Sequence, residues 1–349
     1  MIRVGILGAS GYTGYELVRI LRHHPQVRLA ALGAYSNAGQ SMADLFDGAA
    51  TWGGLPILQK TDDIDLSALD VVFCALPHGQ SAEMVKLLMG QGNIRLIVDL
   101  SNDHRLRDYS GYDGLPQGHP YPEIAGQAVF GLSEWYGDTI PGARLIANPG
   151  CYPTSILLPI LPLLQAGLID PSRIIANSAS GTSGAGRGAS VGQLHAEVSE
   201  NFRAYGLGTH RHALEIQEQV EAVAGPQDSK VIFNPHLLPM NRGILSTLTL
   251  TLTAKADLDQ VQAALDQAYA TAAFVQVAPI GASIATKSVR GTNLCRMAVH
   301  PTVNQGQILI TSAIDNLMKG ASGQAVQNMN LALGWDEGLG LTPLSALQP

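Results

Sequence analysis

The spacing Gly8-x-x-Gly11-x-x-Gly14, set between an apolar run at 3–7 and an amphipathic pattern at 15–23, limits the fold of this chain more than any other stretch. Strand, glycine turn and helix in that order let the backbone turn tightly and bring its N–H groups to a pyrophosphate at the helix entrance. Residues 27–32 supply a second strand and complete a βαβ unit. The turn is therefore read as a dinucleotide cradle built from Gly8, Ser10, Gly11, Tyr12, Thr13 and Gly14. The competing reading is a glycine turn needed only for close helix–sheet packing. Past the second strand stands Gly33-Ala34-Tyr35-Ser36-Asn37, with no Asp or Glu for a ribose 2′-OH. Ser36 and Asn37 offer hydrogen bonds to a 2′-phosphate, so NADP is the expected cofactor. An ordinary polar turn is the alternative.

The alternation continues with strands at 70–76 and 95–100, a helix at 81–89 and a strand at 144–147. The fold class is α/β, a Rossmann-type dinucleotide-binding domain followed by an α+β domain. In a parallel sheet the carboxyl ends of the strands share one edge, where ligands bind. Gly8 to Gly14, Pro77-His78, residues 101–105 and Cys151 all follow such ends. Residues 111–126, rich in Gly, Pro and Tyr, read as an irregular loop.

Asn148-Pro149-Gly150-Cys151-Tyr152-Pro153-Thr154 ends the strand at 144–147 and precedes an apolar helix expected at 156–166. Unpaired N–H groups and the positive end of the helix dipole favour a thiolate over a thiol. The same N–H groups suit the oxyanion of a tetrahedral intermediate, which makes Cys151 a candidate nucleophile. Free cysteines are also among the most buried residues, and a small apolar residue under a turn is the plainer alternative.

Beyond the cysteine the pattern changes. A strand at 173–178 leads into Ala179-Ser180-Gly181-Thr182-Ser183-Gly184-Ala185-Gly186-Arg187-Gly188, which reads as a phosphate-contacting loop or as a flexible linker. Residues 245–253 alternate apolar and hydroxylated, as in a half-exposed antiparallel strand facing solvent or a partner subunit. A helix at 258–272, strands at 295–299 and 307–313, and a closing helix at about 315–333 follow. The domains are placed at 1–150 for dinucleotide binding, 151–314 for catalysis and oligomerisation, and 315–349 for a C-terminal helix packing back onto the first domain.

A thiolate passing through an acyl-enzyme needs a proton carrier. Among ten histidines, His210 and His212 stand just before an apolar helical period, with Glu215 three residues after His212. Glu215 can then orient the His212 ring, and His210 faces the same way only if the chain there is not helical. A solvated, charged helix start is the alternative.

A formal net charge of −7 argues against a nucleic-acid partner. No run approaches the roughly 18 apolar residues of a membrane span, and the first residues read as a strand, so a cytoplasmic protein with no membrane partner is expected. Three widely spaced cysteines, Cys74, Cys151 and Cys295, indicate neither disulfides nor a metal site.

Taken in order, these motifs, with Leu76-Pro77-His78-Gly79, Asp99-Leu100-Ser101, Pro235-His236-Leu237 and Asp315-Asn316-Leu317-Met318-Lys319-Gly320-Ala321, resemble the N-acetyl-gamma-glutamyl-phosphate reductase family within the aspartate-semialdehyde dehydrogenase group. The resemblance covers nearly the whole chain. It implies a homo-oligomeric enzyme, dimer or tetramer, that uses NADPH to convert N-acetyl-glutamyl 5-phosphate to N-acetyl-glutamate 5-semialdehyde and inorganic phosphate in arginine biosynthesis. Cys151 then forms a thioester, His212 is the acid/base group, and His210 assists or binds substrate. Arg105, Asn148, Arg187 and Arg242 are candidate substrate contacts, and Pro77, Ser183, Gly184 and Asn316 candidate cofactor contacts. Tyr35 stands where the family commonly has an arginine for the 2′-phosphate, and Gln40 where a lysine is frequent. Two alternatives stay open: a sister reductase of a carrier-protein-bound aminoadipyl phosphate in lysine synthesis, and a dinucleotide sensor without turnover.

Overall fold

The computed structural model describes residues 1–112, 115, 117–226, 228–254 and 256–341. Parts of the loop expected at 111–126 and the end of the segment expected at 315–349 therefore lie outside the described residues. The chain divides into two compact units, one comprising Met1–Pro149 and the described chain from Ala321, the other Gly150–Gly320.

The first unit runs β1 (Ile2–Leu7), α1 (Tyr12–Leu21), β2 (Val27–Gly33), α2 (Met42–Leu45), β3 (Leu58–Gln59), β4 (Val71–Cys74), α3 (Ser81–Met89), β5 (Leu96–Asp99), α4 (Pro122–Ala125), β6 (Val129–Phe130), α5 (Ser133–Tyr136) and β7 (Leu145–Ala147). Its seven strands lie in the order β3-β2-β1-β4-β5-β7-β6, every pair parallel. Strands covered on both faces need apolar side chains at successive positions. Val71, Val72, Phe73 and Cys74 are accordingly all fully buried. α1 buries Leu17, Val18, Ile20 and Leu21 at helical spacing.

The second unit runs α6 (Cys151–Gln165), β8 (Ile174–Ser180), α7 (His195–Val198), β9 (Arg203–Ala204), α8 (His212–Ala224), β10 (Val231–Leu237), β11 (Ile244–Thr251), α9 (Leu258–Ala268), β12 (Val275–Val277), β13 (Cys295–Pro301) and β14 (Gln307–Ile314). Its mixed sheet has the order β12-β13-β14-β11-β8-β10-β9. In β11 the alternation is explicit: Ile244, Ser246, Leu248 and Leu250 are buried, while Leu245, Thr247, Thr249 and Thr251 are half-buried. The inner face carries α6, α8 and α9.

Two expected elements need amending. The helix after the cysteine starts at Cys151 rather than 156. Pro153 falls in its first turn, where a missing N–H costs nothing, so the proline does not delay the helix. The closing helix is not continuous from 315. A π turn at Met318–Ser322 precedes α10 (Gly323–Ala332), and the Gly320 N–H reaches back five residues to Asp315 O at 3.0 Å. A side chain at Gly320 would bring Cβ within 2.7 Å of Cys151 Cβ, so close packing sets this turn. α10 then packs in the first unit against α1 and β5. No helix among the described residues is long and apolar enough to cross a membrane.

Candidate active site

Cys151 is the first residue of α6 and is half-buried. Gly150 caps the helix with extended backbone, and no acidic residue lies in the first turn to oppose the positive dipole end. Pro153 has no N–H, so the first-turn donors are those of Cys151 and Tyr152. One step back, Gly150 N donates to Glu215 Oε1 at 2.8 Å. Glu215 is 2 % exposed, and its carboxylate fixes the peptide that leads into the cysteine. Glu215, expected to orient the His212 ring, thus also holds the turn that carries Cys151.

His212 opens α8 and is buried. Its imidazole lies against Gly150 so closely that a Cβ there would stand 2.5 Å from Nε2. Gly150 has φ −67 and ψ 158, which alanine adopts freely, so only space forbids a side chain. We expect Gly150→Ala to displace the His212 ring and lower kcat about tenfold or more, with dinucleotide affinity unchanged, because misplacement of a catalytic group costs rate steeply. Steady-state kinetics with a cofactor titration checks this.

His210 lies outside the helix, as the two-residue spacing requires, and its Nδ1 accepts from His212 N at 3.1 Å. Four rings surround it: Tyr152, Tyr205, Phe233 and His212. Burial, then the charge of Arg211, pushes its pKa down to about 4. His210 is therefore a neutral cap on the His212 backbone with its proton on Nε2, and not an acid/base group near neutral pH. Sequence reasoning missed this cage. Tyr152 sits beside the cysteine in the motif, but Tyr205 and Phe233 carry no local signal. The Tyr152 hydroxyl donates to His236 O at 3.0 Å and stands 3.0 Å from Tyr205 Oη. Burial pushes it well above its usual range, so it remains protonated.

The other expected contacts in this unit are engaged with the protein itself. Asn316 is 2 % exposed; its Oδ1 accepts from Gly243 N at 2.7 Å and its Nδ2 donates to Ser183 Oγ at 2.9 Å. Ser183 in turn donates to Asn241 O. Gly184 and Arg187 are exposed in the turn after β8. Arg242 donates through Nε and Nη2 to Asp315, at 3.0 Å for the closest pair. Asp315 also takes the N–H groups of Gly291 and Leu317. Arg242, expected as a substrate contact, thus also anchors the turn before α10.

In the first unit the glycine turn is tight. Gly8 has φ +90, and a Cβ on Gly8 or Gly14 would come 2.2 Å from a carbonyl oxygen, Ala75 O or Gly8 O. Gly11 caps α1 with no side-chain bond, and the first turn holds no acid. Around Gly11 a Cβ would meet nothing nearer than 3.6 Å. Gly8 N and Ala9 N donate to Gly33 O at 2.9 and 2.8 Å, and Gly11 N to Gly8 O at 3.2 Å, which holds the turn formed by Gly8, Ser10, Gly11, Tyr12, Thr13 and Gly14 at the entrance of α1. Tyr35, Ser36 and Pro77 are exposed.

Two of the expected substrate contacts in this unit make hydrogen bonds within the protein. Asn148 is 1 % exposed, donates to Ala321 O at 3.2 Å and accepts from Asn328 Nδ2 at 3.0 Å. It ties β7 to α10. Arg105 is 7 % exposed and donates to Asn102 Oδ1 and Leu100 O, at 2.9 and 2.8 Å, so it braces its own turn. Among the described residues no group of three His, Cys, Asp or Glu is placed to hold a metal ion.

Comparison with known proteins accords with these two halves. The family described as semialdehyde dehydrogenase, NAD binding domain, matches residues 3–143, and semialdehyde dehydrogenase, dimerisation domain, matches 151–316. An N-acetyl-gamma-glutamyl-phosphate reductase of Rhodospirillum rubrum is 51 % identical over 97 % of both chains. Those of Marinobacter nauticus and Desulfotalea psychrophila are 45 % and 44 % identical over 98 % and 99 % of each chain. In fold, the chain is similar to aspartate semialdehyde dehydrogenase II of Vibrio cholerae complexed with ASA, with a TM-score of 0.73 at 16 % identity over 95 % of this chain and 98 % of that one. The aspartate semialdehyde dehydrogenase of Candida albicans with NADP gives 0.67 at 16 % identity and the same coverage.

Proposed function

The chain belongs to the N-acetyl-gamma-glutamyl-phosphate reductase family, and from that premise we propose that it reduces N-acetyl-L-glutamyl 5-phosphate to N-acetyl-L-glutamate 5-semialdehyde through a thioester on Cys151. It is an oxidoreductase of amino-acid biosynthesis that binds a nicotinamide dinucleotide in its first unit. The observation that carries the thioester reading is the arrangement inside the second unit: Cys151 at the first position of α6, Glu215 on Gly150 N, and His212 Nε2 against Gly150.

The steps follow from those groups. His212 takes the thiol proton as Sγ attacks the acyl carbon, and first-turn N–H groups of α6 stabilise the oxyanion. The carbon–oxygen bond to phosphate then breaks, and the leaving phosphate takes the proton from His212. A nicotinamide dinucleotide, when bound, would supply the hydride for reduction of the thioester carbon. Collapse of the resulting thiohemiacetal oxyanion expels the Cys151 thiolate and frees the aldehyde, and the thiolate recovers a proton from water. Offering N-acetyl-glutamate 5-semialdehyde, aspartate 4-semialdehyde and a carrier-bound aminoadipate semialdehyde with NADP and phosphate tests the substrate. The first should give the highest kcat/KM; either of the others in that place overturns the assignment while leaving the thiol chemistry intact.

NADP is the proposed cofactor, supported by the lack of any carboxylate between Gly33 and Asn37. Ser36 is exposed and Tyr35 is 56 % exposed, at the end of β2. Neutral donors grip a phosphate about half as strongly as charged ones. Tyr35→Arg should therefore tighten NADPH about tenfold and leave NADH nearly unchanged, by analogy with a single charge-assisted hydrogen bond. Equal or better use of NADH by the wild type would sink this reading. The protein is further proposed to act as a homodimer or tetramer, with the half-buried Leu245, Thr247 and Thr249 face of β11 available to a second copy.

A further inference from the structure

A buried histidine pair in the first unit has no part in the chemistry above. Asp99, the last residue of β5, is fully buried, and its carboxylate takes His104 Nδ1 at 2.6 Å, Ser81 Oγ at 2.7 Å, Ser101 Oγ at 2.9 Å and Ser101 N at 3.0 Å. Burial opposes its ionisation, yet these donors outweigh burial and hold the carboxyl below its usual range. His104 is 2 % exposed, and its ring lies 4.9 Å from that of His119, which is 9 % exposed. The Nε2 atoms of both rings are enclosed and make no hydrogen bond among the described residues.

For neutral rings the tautomers are complementary. An ionised Asp99 takes the proton of a neutral His104 ring on Nδ1, which leaves Nε2 as an acceptor. His119 Nδ1 accepts from Tyr121 N at 3.0 Å, which puts the proton of its neutral ring on Nε2 as a donor. A buried donor and a buried acceptor each cost desolvation when left unmade, and here they belong to adjoining rings. We propose that His119 Nε2–H shares its proton with His104 Nε2, through a small ring rotation or one enclosed water, and that this relay through Asp99 holds Ser81 and Ser101 at the dinucleotide edge.

The position gives the relay its consequence. Ser81 opens α3 behind β4, and Ser101 follows β5, so Asp99 joins two strand ends on the edge where parallel sheets bind ligands. Asp103, fully buried, accepts from Gly79 N, Ser81 N and Ala82 N, and its own N–H donates to Ser101 Oγ. The far end of the relay rests on the loop that carries His119, where Arg107, Tyr109 and His119 line a cavity of about 440 Å³. Among the described residues, the titratable groups around the pair are Asp99, Tyr109, Tyr121 and Glu123, with Asp103 and Cys74 coupled to Asp99 and Arg105 and Arg107 on the same stretch. A second proton on either ring breaks the relay: on His104 it sets donor against donor, and on His119 it displaces the Tyr121 N–H.

Burial, and next the neighbouring His104, lowers the His119 pKa to about 4. A histidine lowered on folding contributes stability that is complete above its unfolded pKa of about 6.5 and is lost as pH falls toward its folded value. The difference in Tm between the wild type and His119→Gln should therefore change between about pH 6.5 and 4 and stay constant above that window.

This inference rests on dinucleotide binding in the first unit, and the test separates the two. Nitrogen-15 NMR of labelled imidazoles should show His104 protonated on Nδ1 and His119 on Nε2 at pH 7.5. A proton on His119 Nδ1, or a doubly protonated His104, overturns the relay whether or not cofactor binds. His119→Gln keeps an acceptor for Tyr121 N and a donor toward His104, and should hold NADPH affinity within about twofold. His119→Leu should weaken it about three- to tenfold, the range for one lost buried hydrogen bond, with the rate of Cys151 alkylation unchanged in both. Affinity in His119→Leu equal to wild type overturns the positioning role. If His119→Leu does not fold, loss of affinity in His119→Gln does the same. A wild type that binds no dinucleotide refutes the cofactor reading and leaves the tautomer measurement to judge the relay.

Discussion

Cys151→Ala loses at least about a thousandfold in kcat while the dissociation constant for NADPH stays within about twofold, because a group that acts only in covalent chemistry contributes little to cofactor binding. The substitution is a clean one here. Alanine keeps the Cβ against which Gly320 packs, and Gly150 N remains held by Glu215. The dinucleotide-binding domain match, moreover, covers residues 3–143, apart from Cys151 in the chain. A pre-steady-state burst of acyl-enzyme should vanish with turnover. Activity near the wild-type level, or a burst that persists, would rule out Cys151 as the nucleophile.

His212→Asn is expected to lower kcat about 10²- to 10⁴-fold, the usual contribution of a general acid/base, and to remove one limb of the kcat/KM pH profile. His210→Asn should behave differently. With its pKa pushed down to about 4 by burial and Arg211, His210 stays neutral through the working range and carries no limb of that profile. Its loss removes the acceptor for His212 N and one wall of the aromatic cage, so the effect is a smaller drop in kcat with the pH limbs kept. The same lowered pKa gives a stability term that is complete above about pH 6.5 and lost toward pH 4; that term disappears in His210→Asn. Reversal of the two kinetic profiles would exchange the roles of the histidines.

Local pattern was enough to determine much of this protein. Apolar runs bounded by glycine and proline located the parallel strands, and the alternation through β11 gave a sheet with one covered face, because side-chain period follows directly from backbone geometry. The order strand, glycine turn, helix carried the dinucleotide reading, and the strand-to-helix position of Cys151 was visible for the same reason: both are set within about seven residues of chain. Direction of polar side chains was not visible. Arg105 and Asn148 have the composition of anion contacts, and nothing local shows that the first also bonds Leu100 O and Asn102, or the second Ala321 O and Asn328. Helix spacing points Glu215 at His212, but it gives no sign of the hydrogen bond that Glu215 takes from Gly150, 65 residues back. A buried polar atom takes whichever partner the fold brings within about 3 Å, and no local period encodes a partner 65 or, for Asn148 and Asn328, 180 positions away. The break before α10 has the same origin. Glycine at 320 permits a helix or a turn, and the close approach of Cys151 Cβ, a contact between residues far apart in the chain, decides for the turn.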